Sequence, residues 1–233
     1  MVTLNILSGG AAQGLVRAVA DDFESLHSLH LSGTFGAVGA MKQKLTEGAP
    51  CDVLILTHPM VQELIQQGHA SEGTALDLGV VKTGVAVLAG QAPVAVATPD
   101  ALRQTLRQAS AIYFPDPQLA TAGIHFMKVL QKLGVADELA SRLRPHPNGA
   151  TAMKAMALGK DAQAIGCTQV TEILSTPGVQ LVGDLPKAHE LATVYTAVLA
   201  KRARHTELAQ TLIAHLASPA LAALRAELGF LPV

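Results

Sequence analysis

Val53-Leu54-Ile55-Leu56, entered from Asp52 and followed directly by Thr57-His58-Pro59, decides how this chain is read. The apolar run lacks the polar alternation of a half-exposed strand, as expected of a central strand covered on both faces. Thr57-His58-Pro59 then opens a helix, with Pro suited to its first turn, and Gly68 ends it. The same alternation of short apolar run and helical stretch repeats on either side. Thr3–Leu7 is a strand, Ser8-Gly9-Gly10 a tight turn, and residues 11–26 a helix with Leu15, Val19 and Phe23 on one face. His30–Thr34 is a second strand, and Phe35-Gly36-Ala37 leads into a helix ending near Gly48.

Downstream, residues 78–89 read as a long strand, and Thr98-Pro99-Asp100 is a helix start: a cap, a proline, then an acid near the positive dipole end. Strands are expected at Ala111–Phe114, Leu143–His146, Ala162–Gly166, Val179–Val182 and Thr193–Leu199. Helices are expected over about 123–133, through Met153 to Leu158, and briefly from Thr168-Gln169. The last 30 residues read as two helices broken at Ser218-Pro219. This is the pattern of an α/β protein with two doubly wound lobes and a ligand cleft between them. Residues 1–82 with 197–233 are expected to form lobe 1, and residues 83–196 lobe 2.

Composition narrows the function classes. Of 233 residues, 49% are hydrophobic and only 15% charged, so a sizeable core is assured. The net charge of -1 includes no basic stripe, which argues against nucleic acid as a partner. No stretch is long and apolar enough for membrane insertion, and the start of the chain lacks the features of a signal peptide. A cytoplasmic location is therefore expected, or a periplasmic one for a trimmed mature form, and a transporter partner is not favoured. Cys51 and Cys167 lie in no metal-ligand spacing and read as free buried thiols.

In such sheets ligands sit beyond the carboxyl ends of strands, where helix N-termini present unpaired N–H groups. That rule selects Ser8, Gly9, Gly10, Ala11, Gly36, Ala37, Thr57, Thr121, Ala122, Gly123, Asn148, Gly149 and Gln169 as candidate ligand contacts. Small residues there let an anion approach the backbone, although the same residues also serve plain tight turns. Tyr195 either reaches the cleft with its hydroxyl or packs beside the hinge. His58, directly after the central strand, and His125, early in a helix, are the candidate proton-transfer residues, against the plainer reading of packed or capping histidines. No P-loop, dinucleotide fingerprint or nucleophile elbow is present, and no His-x3-His or Cys/His cluster supports a metal, so no cofactor is expected.

Glu47-Gly48-Ala49-Pro50-Cys51-Asp52-Val53-Leu54-Ile55 resembles a stretch typical of the molybdate-binding proteins of ABC transporters. Asp116-Pro117, Ala122-Gly123-Ile124, Leu130-Gln131-Lys132-Leu133-Gly134 and the ending Ser218-Pro219 through Leu228-Gly229-Phe230 are similar to later segments of that family, in matching order. The resemblance implies the class II periplasmic-binding-protein fold. It also implies that hydroxyl side chains and a tyrosine hold the oxyanion, yet those positions fall here at Ala11, in Ala37–Gly39 and at Cys167. Ser8-Gly9-Gly10, Ala164-Ile165-Gly166, Gln169-Val170, Glu172-Ile173-Leu174 and Val182-Gly183-Asp184-Leu185-Pro186 resemble instead a branch similar to aconitate isomerase. That branch implies a small organic acid as ligand. Two functions stay open: a solute-binding protein for a small anionic carboxylate, placed first, and a cofactor-independent isomerase of such an acid.

Overall fold

The computed structural model describes residues 1–233, which divide into two compact units: Met1–Val81 with Thr193–Val233, and Lys82–Ala192. In chain order, unit 1 begins with β1 (Val2–Gly9), a 3-10 turn (Gly10–Ala12), α1 (Gln13–His27), β2 (Leu29–Gly36), α2 (Val38–Thr46), β3 (Val53–Thr57) and α3 (His58–Gln66). β4 (Leu76–Leu88) carries the chain into unit 2. There follow α4 (Pro99–Gln108), β5 (Ala111–Pro115), α5 (Thr121–Lys132), β6 (Leu143–His146), α6 (Gly149–Leu158), β7 (Ala164–Gln169), α7 (Val170–Leu174) and β8 (Val179–Asp184). β9 (Ala192–Leu199), α8 (Thr206–Ala217) and α9 (Ala222–Glu227) complete unit 1.

β3 is buried along its whole length, as its unbroken apolar run predicts. In unit 1 the strands run β2-β1-β3-β9, with β1 parallel to both β2 and β3. β9 pairs β3 antiparallel. β9 is thus the one antiparallel strand among β1, β2, β3 and β9, the others lying parallel to one another. Leu15, Val19 and Phe23 of α1 bury against this sheet together with Val61 and Leu64 of α3 and Leu212 and Leu216 of α8. Each such side chain contributes about 1.5–3 kcal/mol by leaving water.

Unit 2 repeats the plan. β5 lies parallel to β6 and β7, whereas β4 pairs antiparallel with β7 and β8. Its apolar side chains form two clusters. Leu102, Leu106, Phe126 and Leu130 of α4 and α5 pack with Val85, Ile112, Phe114 and Ile165. Ala152, Met153 and Met156 of α6 pack with Ala86, Ala111, Tyr113 and Ala164. Helices thus cover both faces of the sheet, which is what doubly wound means. The Thr98 hydroxyl caps α4, accepting from the Ala101 N–H at 3.2 Å, with Pro99 at the helix start.

The two cysteines are free and buried. Desolvation pushes the Cys51 thiol up to about 12 and raises that of Cys167 further still, so neither ionises near neutral pH. No helix is long and apolar enough to cross a membrane.

Candidate functional site

In unit 1, register gathers the expected residues at adjoining strand ends. Gly9 pairs with Gly36, Ser8 with Ile55, and Thr57 with Tyr195. Ser8 is fully buried, its hydroxyl donating to the Gly9 carbonyl at 2.8 Å. Gly9 has a packing reason to lack a side chain: a Cβ there would lie 2.8 Å from Val38 Cγ1 and 3.0 Å from Tyr195 Cε1. Tyr195 is buried. The 3-10 turn at Gly10, α2 and α3 start on Gly9, Ala37 and Thr57, and none of these three starts has a side-chain cap. Ala11, Ala12 and Ala37 keep the surroundings small. Backbone N–H groups at uncapped helix starts favour an anion.

His58, the first residue of α3, is held by groups that the sequence reading does not identify. Its Nδ1 lies 3.0 Å from Asp77 Oδ1 and 3.3 Å from Thr196 Oγ1, while the Thr196 hydroxyl donates to the same Asp77 oxygen at 2.5 Å. A carboxylate facing Nδ1 assigns the proton to that nitrogen and leaves Nε2 as the basic atom. The His58 side chain is 43% exposed, so that atom is within reach of solvent-borne molecules. This is the orienter–base arrangement of general base catalysis.

In unit 2 the expected residues are more dispersed. α5 starts at Thr121 without a side-chain cap. Gly123 faces the Pro115 and Asp116 carbonyls so closely that a Cβ would collide with both, so it serves close backbone packing. His125 Nε2 donates to the His189 carbonyl at 2.7 Å, which leaves Nδ1 as its basic atom but supplies no carboxylate orienter. Burial, then the charges of Lys132, His125 and Arg103, lower the pKa of His189. Gln169 ends β7 and is buried.

The start of α6 differs from every other expected contact. Asn148 and Thr151 form a capping box: Thr151 N–H donates to Asn148 Oδ1 at 2.9 Å, and Asn148 N–H to Thr151 Oγ1 at 3.2 Å. The Gly149, Ala150 and Gln169 N–H groups donate to Glu172, whose Oε2 also accepts from the Thr168 hydroxyl at 2.5 Å. Glu172 is 5% exposed. Burial raises its pKa, and the hydroxyl and N–H donors pull against that rise. With the N–H groups of residues 148–151 partnered internally, a contact from Asn148 to a ligand falls to its side-chain amide.

Asp77, Thr196 and Glu172 are the residues missed by sequence reasoning. Glu172 had one local signal, a lone acid between Val170 and Ile173 in a five-residue helix. Asp77 and Thr196 had none, because they meet His58 only through the sheet. Away from the strand-end turns, unit 1 has a hollow of about 410 Å³ lined by Asn5, Asp52, His69, Lys201, Arg202 and Arg204. Unit 2 has one of about 430 Å³ lined by Val87, Val94, Thr105, Gln108 and Ile165.

Comparison with known proteins places this geometry. The chain is similar to aconitate isomerase from a Pseudomonas species, at 26% identity over 239 aligned residues that cover 100% of this chain and 89% of that protein. Among solved structures, the periplasmic molybdate-binding protein of Azotobacter vinelandii matches with a TM-score of 0.82 at 20% identity, covering 99% of each chain. The sulfate-binding protein of Mycobacterium tuberculosis matches with a TM-score of 0.75 at 16% identity, covering 100% of this chain and 88% of that one. At such identities the structures show a shared fold. The expected cytoplasmic location finds no support in these relatives. The model of the bacterial extracellular solute-binding protein family matches residues 4–231, nearly the whole chain, and the chain belongs to that family.

Proposed function

We propose that this solute-binding protein takes a small anionic organic molecule, a carboxylate, at its strand-end turns. The observation that carries the reading is the set of uncapped helix starts in unit 1, on Gly9, Ala37 and Thr57. Their donors are backbone N–H groups among small buried residues, and they suit a planar carboxylate that needs two or three bonds. A tetrahedral dianion is a poorer match. Ala11, the Ala37–Gly39 segment and Cys167 stand where the resemblance implies polar side chains on the oxyanion, and Cys167 is fully buried. A thermal-shift and calorimetric screen against di- and tricarboxylates, with molybdate and sulfate as comparators, tests this. Stabilisation by carboxylates is expected; a response to molybdate alone would end the carboxylate reading.

The His58–Asp77–Thr196 arrangement favours a second reading, an isomerase of the bound acid. The relative that carries the name aconitate isomerase makes aconitate the first substrate to try. His58 Nε2 would remove a carbon-bound proton beside a carboxylate, and uncapped N–H groups would hold the charge that develops. In D2O, proton NMR should then show loss of the carbon-bound signal. His58→Ala should slow that exchange by about 10²–10⁴-fold, as expected for loss of a general base, while binding persists. Bound aconitate that keeps its protons leaves a binding protein.

A further inference from the structure

We infer that Glu172 is a specificity-determining residue of unit 2: its carboxyl group fills the N-terminus of α6 from within the fold and bars inorganic oxyanions from it. The inference rests on the reading of strand-end helix starts as anion-seeking sites, and it identifies the start withheld from ligands.

A helix presents four unpaired N–H groups at its beginning. At α6 the groups of Asn148 and Thr151 are satisfied by the capping box, and those of Gly149 and Ala150 by Glu172. None remains for an incoming anion. Capping alone does not require this arrangement, because Asn148 already caps the helix, and burying a carboxyl group is costly. The fold is also shaped to admit that group: Gly149 lacks the Cβ that would collide with Glu172 Oε2 and Thr168 Oγ1. Glu172 approaches from the interior side, being 5% exposed. On the outer side Asn148 and Ala150 are partly exposed and Thr151 is exposed, so the helix end is reachable from solvent once the carboxyl group is removed.

The consequence is selectivity. Sulfate or molybdate needs many donors around one centre, and the α6 start offers none while Glu172 occupies it. A carboxylate ligand held at other turns is unaffected.

The test titrates sulfate and molybdate calorimetrically into the wild-type protein, Glu172→Ala and Glu172→Ser, with folding verified by a cooperative melt. The serine variant supplies a hydroxyl to the freed backbone, should the alanine variant not fold. The wild type is expected to bind neither oxyanion, and each folded variant to bind at least one of them about tenfold or more tightly than the wild type. A folded variant with no gain overturns the inference. Wild-type binding of either oxyanion overturns it too, and needs no variant. If the wild type also binds no carboxylate, the functional reading fails on that separate result, because the oxyanion titrations do not involve a carboxylate.

Discussion

Each unit buries one carboxyl group among backbone N–H groups, one before the start of a strand and the other beyond the end of one. In unit 1 it is Asp52, 1% exposed, just before β3 begins. It accepts from the N–H groups of Asn5 at 2.8 Å, Arg204 at 2.7 Å and His205 at 3.3 Å, and from the Asn5 side chain. It thereby ties the entry to α8 to the start of the sheet, far from the ends where β1, β2 and β3 finish. In unit 2 the group is Glu172, beyond the end of β7, and it closes the start of α6. Two blocks of the same plan therefore differ in how many anion-seeking helix starts they leave uncapped. At the α6 start the buried acid adds to the Asn148 cap, whereas the unit 1 starts on Gly9, Ala37 and Thr57 have no side-chain cap.

The largest effect expected from this contrast is at Asp52. Asp52→Ala leaves three backbone donors and an amide without their acceptor and should cost about 3 kcal/mol or more. Urea denaturation measures it, and a loss below about 1 kcal/mol would show that water replaces the carboxylate freely.

Next comes Glu172→Gln, which keeps the volume and one acceptor but sets an amide NH2 against N–H groups. A cost of about 2 kcal/mol is expected. Because burial raises the folded-state pKa above the ordinary 4.5, the acid holds its proton in the folded chain where the unfolded chain releases it. The stability this contributes is full below pH 4.5 and is lost as pH climbs through the folded value. The wild type should thus lose ground to Glu172→Gln as pH rises above 4.5. A gap that widens instead means that the hydrogen-bond donors outweigh burial.

Ala37→Asp asks whether unit 1 can be closed as unit 2 is. Ala37 is the N-cap residue of α2, with extended backbone angles suited to an Asp cap. The new carboxylate should satisfy the α2 start from within and cost roughly tenfold in carboxylate affinity, about 1.4 kcal/mol, with little change in melting temperature. Undiminished affinity would remove the α2 start from the ligand contacts.

How far the sequence carries these comparisons differs between fold and site. β3 and its helix are legible because burial on both faces leaves an uninterrupted apolar run, and α4 because Thr98-Pro99 sets cap and dihedral locally. β7 runs to Gln169, three residues past the expected end at Gly166, because Thr168 and Gln169 read as the start of the next helix yet are buried strand residues. Hydropathy cannot show that Thr168 donates to Glu172. The candidate turns are legible as strand ends, each being a local pattern. His58, Asp77 and Thr196 are not legible together, since 19 and 138 residues separate the histidine from its partners and only strand register unites them. Glu172 is hidden for a related reason: a charged residue reads as solvent-facing until its donors are known.

The smallest effect concerns the other half of the α6 closure. Asn148→Ala removes the acceptor of the Thr151 N–H and should cost about 1 kcal/mol, as for an ordinary cap. Thr98→Ala in α4 is the fitting control, since that cap too accepts from the N–H three residues on, with no buried acid beside it. The informative variant is Asn148→Ala combined with Glu172→Gln. If cap and acid jointly hold one helix start, losing the first lets the turn fray and weakens what the second contributes, so the double change costs less than the sum of the single ones. Strict additivity would mean that the two groups act on independent donors, and the start of α6 would then be two adjacent caps without the cooperative closure that distinguishes unit 2 from unit 1.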